Sequence, residues 1–161
     1  MERYKRVREE ICGVCRLLYQ RGYVVSNDGN VSVRVEADRV LVTPSGVGKG
    51  RMTSDMPVLC DLEGHVLEGD RHPSSESKMH LMVYRERPDV QAVVHAHPPF
   101  STARAVCRRP LTERYLAETV LGLGEIPVTE FAMLSTDEVP NSVRPFVRTH
   151  NAVLLANHGS L

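Results

Sequence analysis

"VVHAHPP", residues 93–99, sets two imidazoles two positions apart at the end of an apolar run. In a strand, side chains at i and i+2 share a face, so His95 and His97 point the same way, with Cα atoms roughly 6.5–7 Å apart. That separation lets both rings converge on one ion at about 2.0–2.1 Å from each nitrogen. On a helix the same spacing would splay them. The apolar Ala92-Val93-Val94 favours a strand, and Pro98-Pro99 ends it.

Two histidines do not hold a catalytic ion, which usually takes three protein ligands and keeps one position open. The best third candidate is His158 in "LLANHGS", which follows another apolar run and precedes a glycine. If the two runs lie in one sheet, their ends can meet. The other histidines are less well placed. His65 falls in an Asp/Gly turn, His72 precedes a proline, His80 lies in a helical pattern and His150 ends one. For any single histidine, a hydrogen-bonded side chain without metal is the plainer reading. The strand-end pair combined with a strand-end His-Gly shifts the balance to a divalent metal site.

Working outward, residues 3–21 repeat apolar positions at helical spacing, with Gly22 as the stop. Residues 26–30, "SNDGN", form a turn cluster. Strands follow at 31–35 and 39–44, a glycine-rich loop "SGVGKG" at 45–50, and a strand–turn–strand over 57–69. The pattern then becomes helical from 75 to 87. A strand is expected at 90–97, helices at 100–107 and 112–121, and a short strand at 125–131. Residues 135–150 open with a Ser135/Glu138 capping pattern, although two prolines weaken the helix. Residues 151–159 read as a final buried strand. The result is an α/β or α+β single domain spanning 1–161.

Lys+Arg and Asp+Glu balance at 20 each, which gives no electrostatic footprint for nucleic acid or an anionic membrane. No apolar stretch is long enough to span a bilayer, and the charged start "MERYKRVREE" lacks the apolar core of a secretory signal. Cys12, Cys15, Cys60 and Cys107 fit a reducing, cytoplasmic setting better than a disulfide framework. The Cys12-x-x-Cys15 pair sits inside a helical pattern with no second pair, so packing is its reading rather than redox or zinc chemistry.

"HPSSES", 72–77, places Ser74, Ser75 and Glu76 at a helix start, where free N–H groups and the dipole suit an anion. N-capping by Ser74 or Ser75 explains the same residues. Gly29-Asn30 and Ser45-Gly46 also sit in turns after apolar segments. The loop "SGVGKG" is not a P-loop; an N–H nest and a plain hairpin loop both remain open for it.

In this order, "SNDGNVSVR", "VLVTPSGVGKGRM", "HPSSESKMH", "VVHAHPP" and "LLANHGSL" resemble the class II aldolase/adducin family, over residues 26 to 161. The resemblance implies a central, mostly antiparallel sheet flanked by helices. It implies a divalent metal, usually zinc, on His95, His97 and His158. Glu76 matches the family's catalytic carboxylate, which also ligates the metal when substrate is absent. Gly29, Asn30, Ser45, Gly46, Ser74 and Ser75 match its phosphate-binding positions. The implied activity is cleavage of a ketose 1-phosphate of the fuculose type to dihydroxyacetone phosphate and an aldehyde, without a Schiff-base lysine.

The family commonly forms homotetramers with active sites between subunits, and a tyrosine from a neighbouring subunit handles the aldehyde oxygen; Tyr115 lies in the corresponding region. Two departures stand out. "SND" replaces the family's threonine near the Gly-Asn pair. The chain also stops at Leu161, where relatives continue into helices that cover the site, so the C-terminal helices are expected to be missing. Rivals on the same scaffold are the ribulose-phosphate 4-epimerases, which usually carry aspartate where Glu76 stands, and the methylthioribulose-phosphate dehydratases. A non-catalytic adducin-like binding domain is the rival of another class; such domains lose the metal ligands that are present here.

Overall fold

Alternation of inward and outward side chains from residue 30 to residue 68 folds into an antiparallel meander. The computed structural model describes residues 4–114 and 116–161. Strands β1 (Asn30–Glu36), β2 (Arg39–Val42), β3 (Val58–Asp61) and β4 (Val66–Glu68) pair in succession. Strand β5 (Ala92–His95) returns to the free side of β1, which gives the order β4-β3-β2-β1-β5. Every neighbouring pair is antiparallel, and the β1–β5 register sets Asn30 opposite His95 and Ser32 opposite Val93.

The helices are α1 (Lys5–Gln20), α2 (Ser77–Glu86), α3 (Pro99–Val106), α4 (Ala117–Gly122) and α5 (Glu138–Val147). Residue parity divides the sheet's two faces. Val31, Leu41 and Leu59 meet Ile11, Cys12 and Cys15 of α1 on one face. Val40, Val42 and Val93 meet Met79 and Met82 of α2 and Val143 of α5 on the other. Each buried branched side chain removed from water contributes about 1.5–3 kcal/mol. Burial pushes the Cys15 thiol up to about 12 and raises that of Cys12. All four cysteines are unpaired, and the Cys12-x-x-Cys15 pair acts as apolar packing.

Several local expectations are corrected. Residues 151–159 do not form one strand. Strand β6 (Leu154–Leu155) turns at Asn157, whose φ is +59°, and pairs back with β7 (Gly159–Ser160) as a separate two-stranded hairpin. It touches the main sheet through one bridge, Ala96 to Ser160. Residues 125–131 form no strand, only isolated bridges from Ile126 to Leu111 and from Val128 to Leu154. The expected helix at 112–121 shrinks to α4, which buries none of its residues and so has no packing to extend it. Tyr115 lies outside the described residues.

Helix starts also differ from expectation. Glu76 occupies the N-cap of α2 with no side-chain cap bond, while Ser74 Oγ accepts the Glu76 N–H at 3.4 Å. Ser135 adopts φ +63°, and its hydroxyl donates to Ser75 Oγ at 3.1 Å. The bonds expected of Ser135 are made by Thr136, whose hydroxyl accepts the Glu138 N–H at 3.2 Å. Pro140 is tolerated in the first turn of α5, where no helical N–H partner is lost. Among the described residues, no helix is long and apolar enough to cross a membrane.

Candidate functional site

Two chain segments deliver the three imidazoles to one point. His95 ends β5 and is fully buried; His97 follows two residues on, on the same side. His158 arrives differently from expectation, on the turn of the β6–β7 hairpin rather than at the end of a sheet strand. Its N–H donates to the Leu155 carbonyl at 3.0 Å, and Thr129 Oγ1 accepts the Ala156 N–H at 3.2 Å, which holds the turn. Gly159 explains the glycine after the histidine. A Cβ there would lie 2.6 Å from the Ala96 carbonyl oxygen and 2.6 Å from His97 Cδ2.

Ring centroids of the three histidines are 4.5–4.9 Å apart, none stacked face to face. His95 Nε2 and His97 Nε2 are separated by 3.0 Å. His95 Nδ1–H donates to the Ser160 carbonyl at 2.9 Å, which fixes the tautomer and turns the Nε2 lone pair inward. Ligand atoms from all three rings lie within 4.8 Å of one another. Tetrahedral coordination at about 2.05 Å requires donors roughly 3.3 Å apart, so this donor set fits one divalent ion of the zinc type.

Glu76 completes the cluster from the N-terminus of α2. Its Oε2 is 3.3 Å from His95 Nε2 and its Oε1 is 3.2 Å from His158 Nε2. Asn30 Nδ2 donates to Oε2 at 3.0 Å and to Ser74 Oγ at 3.2 Å. Burial raises the Glu76 pKa above the usual carboxylate range, against the lowering pull of Asn30. Burial holds His95 well below 6.5, reinforced by His158 and His97. Burial also brings His158 down to about 4, and it lowers His97, where Asp28 opposes it. The rings are therefore neutral donors at neutral pH, the form a metal requires.

Gly29, Asn30, Ser45, Gly46, Ser74 and Ser75 line one cleft of about 190 Å³ together with Glu76, His97 and His158. The Ser45 N–H is engaged by the His72 carbonyl at 2.9 Å, so its hydroxyl is the donor it can offer. A larger cavity of about 640 Å³ lies between β5 and α5. It contains none of the three histidines, so size alone does not locate the chemistry.

Sequence reasoning gave no site role to three residues, two that line this cleft and one in the core. Asp28 was read as part of a turn and of a departure from the family pattern, yet its carboxylate lies 3.9 Å from His97 Nδ1. Ser135 lines the cleft through its bond to Ser75. His80, set aside as helical, is fully buried with Nδ1 2.7 Å from Ser32 Oγ, which also meets Tyr84 OH at 2.9 Å. The four-residue step from Glu76 to His80, facing the two-residue step from Asn30 to Ser32, was the available signal.

Residues 9–161 match the model of the Class II Aldolase and Adducin N-terminal domain. A 3-oxo-tetronate 4-phosphate decarboxylase of Haemophilus influenzae is 35% identical over 152 residues, 89% of this chain and 70% of that protein. A 5-methylthioribulose-1-phosphate/5-deoxyribulose-1-phosphate aldolase of Escherichia coli is 34% identical over 161 residues, 100% of this chain and 74% of that protein. A solved L-fuculose 1-phosphate aldolase superposes with a TM-score of 0.88 at 33% identity, covering 96% of this chain and 73% of that one.

The chain belongs to the class II aldolase and adducin family. Within it, the chain is an enzyme of the class II aldolase type, a carbon–carbon lyase.

Proposed function

We propose that this enzyme cleaves a ketose 1-phosphate of the fuculose 1-phosphate kind to dihydroxyacetone phosphate and an aldehyde, using a divalent cation, zinc first, on His95, His97 and His158. The observation that carries this reading is the meeting of three neutral imidazoles and one buried carboxylate beside a cleft rich in serine, glycine and asparagine. When bound, the cation supplies Lewis-acid stabilisation of the charge that carbon–carbon cleavage leaves on the ketone fragment.

The chain's own residues do the rest. Glu76 is the general acid/base that returns a proton to carbon, and burial raises its pKa above the usual carboxylate range, which favours that exchange. Asn30 aims its carboxylate. Ser45, Ser74, Ser75, Asn30 and the Gly29 and Gly46 turns hold the phosphate, so binding away from the reacting carbons orients them.

A second reading is decarboxylation of a 3-oxo acid phosphate, favoured by the decarboxylase among the relatives. Loss of carbon dioxide next to a ketone leaves the same kind of charge, so the same groups serve it. Incubating the zinc-loaded protein with fuculose 1-phosphate, 5-deoxyribulose 1-phosphate and 3-oxo-tetronate 4-phosphate tests both. Dihydroxyacetone phosphate with an aldehyde from either ketose 1-phosphate supports the aldolase, dihydroxyacetone phosphate with carbon dioxide from 3-oxo-tetronate 4-phosphate supports the decarboxylase, and no product from any of the three defeats both.

The proposal extends to assembly and setting. Phe100 and Leu121 are 90% and 88% exposed, and Leu116, Phe131, Met133 and Leu134 are also exposed. Apolar surface of this kind supports a homotetramer with the active sites at its interfaces. Four free thiols support a cytoplasmic location.

A further inference from the structure

Lys49 begins the 3₁₀ turn (Lys49–Arg51) that closes the glycine-rich loop. It is 2% exposed. Its Nζ donates to the carbonyl oxygens of Asn27 and Val47, each at 3.0 Å. Among the described residues, no carboxylate pairs with it. A buried ammonium held only by carbonyls is costly in lost hydration, and a methionine of similar length would fill the space without that cost. Something at this place requires the charge. It is not a thiolate, because the neighbouring Cys15 thiol is pushed up to about 12 and stays neutral.

The two carbonyls belong to the two loops that carry the candidate phosphate positions. Asn27 leads into Gly29 and Asn30, and Val47 follows Ser45 and Gly46. The cleft between these loops is lined by two carboxylates, Asp28 and Glu76, and by no lysine or arginine. Apart from the cation proposed on the histidines, a phosphate dianion there would meet two carboxylates and neutral donors. Burial lowers the Lys49 pKa and opposes its charge; among the groups that favour the charge are those same two carboxylates, which couples the ammonium to the cleft.

We propose that Lys49 is the positioning residue of the phosphate site: from beneath the cleft it ties the 26–30 turn to the 45–50 loop and supplies the positive charge that the lining lacks. This rests on the phosphate reading given above and adds to it a residue that does not line the cleft.

The test uses metal-loaded protein and methyl phosphate, a monoester with no chelating oxygens on its carbon, measured by titration calorimetry. Lys49→Met is expected to weaken methyl phosphate binding by about tenfold or more, while Lys49→Arg, which keeps the charge, stays within about threefold of wild type. With the cleaved sugar phosphate, Lys49→Met should raise KM more than it lowers kcat, and Lys49→Arg should restore both, a rescue that general loosening of the fold would not produce. If Lys49→Met does not fold, Lys49→Gln replaces it, since an amide can still donate to both carbonyls without the charge. Methyl phosphate binding unchanged in the neutral variant overturns the inference. A wild-type protein that binds metal but no methyl phosphate removes the phosphate reading itself, and this inference with it.

Discussion

Asn30 Nδ2 and Glu76 Oε2 stand 3.0 Å apart, opposite His95 across the β1–β5 register. One strand residue thus faces the histidine cluster and the carboxylate at the start of α2. Asn30→Ala should free the Glu76 side chain to rotate while leaving the imidazoles in place. The expected outcome is a loss of about tenfold or more in kcat, with metal content unchanged, measured by steady-state kinetics alongside metal analysis.

Glu76→Gln keeps the shape and the hydrogen-bonding capacity but removes the base. Turnover should fall by about 10²–10⁴-fold while metal stays bound. His95→Ala should instead lower metal content and activity together, since it removes a donor and opens a buried space. Near-normal cleavage by Glu76→Gln sinks the general-base role, and full metal content in His95→Ala removes that ring from the coordination set.

Gly159→Ala is a test of packing rather than chemistry. The added methyl would press on the Ala96 carbonyl oxygen and on the His97 ring. The hairpin must shift, and His158 shifts with it. The variant should keep its far-ultraviolet circular dichroism and lose metal affinity by about 10- to 100-fold, a size typical of disturbed ligand support. Unaltered metal affinity would mean that the turn has slack the close contacts do not suggest.

His80 sets a dependence of stability on pH. Burial lowers its pKa from 6.5 to about 3, with Ser32 on its Nδ1. The unfolded chain protonates this ring near 6.5, and the folded chain does not until about 3. The unfolded state therefore binds more protons in that window. Stability is fully present above about 6.5 and falls as pH drops, by up to about 1.4 kcal/mol per unit, until about pH 3. Urea titrations of chelator-treated protein at pH 7 and pH 5 read the slope. His80→Gln should reduce it by up to about 1.4 kcal/mol per unit, with the remainder set by His95, His97 and His158, whose pKa values burial also lowers, and an unchanged slope would assign the whole effect to those other groups.

Much of the candidate site's geometry was legible because its rules are local. The shared side of His95 and His97 follows from strand alternation, and the place of Glu76 from a helix start marked by Ser74 and Ser75, while its role was read only from the family resemblance. The two faces of the sheet follow from the alternation of Val40, Leu41 and Val42. What stayed hidden depends on distant partners. Nothing near His158 announces that Asn157 takes a left-handed conformation, so the approach by a hairpin turn was read as a strand end. Lys49 gave no sequence signal because its partners are backbone carbonyls, which every residue carries. Asp28 was seen as a departure from a family pattern, but its closeness to His97 appears only when the turn is folded. The Ser135 capping pattern was one residue out of register, since Thr136 offers the same hydroxyl chemistry.

The third imidazole lies about sixty positions after the second, on a hairpin joined to the end of β5 through the Ala96–Ser160 bridge. An ion held by all three rings would tie these two remote stretches of backbone together and oppose their separation.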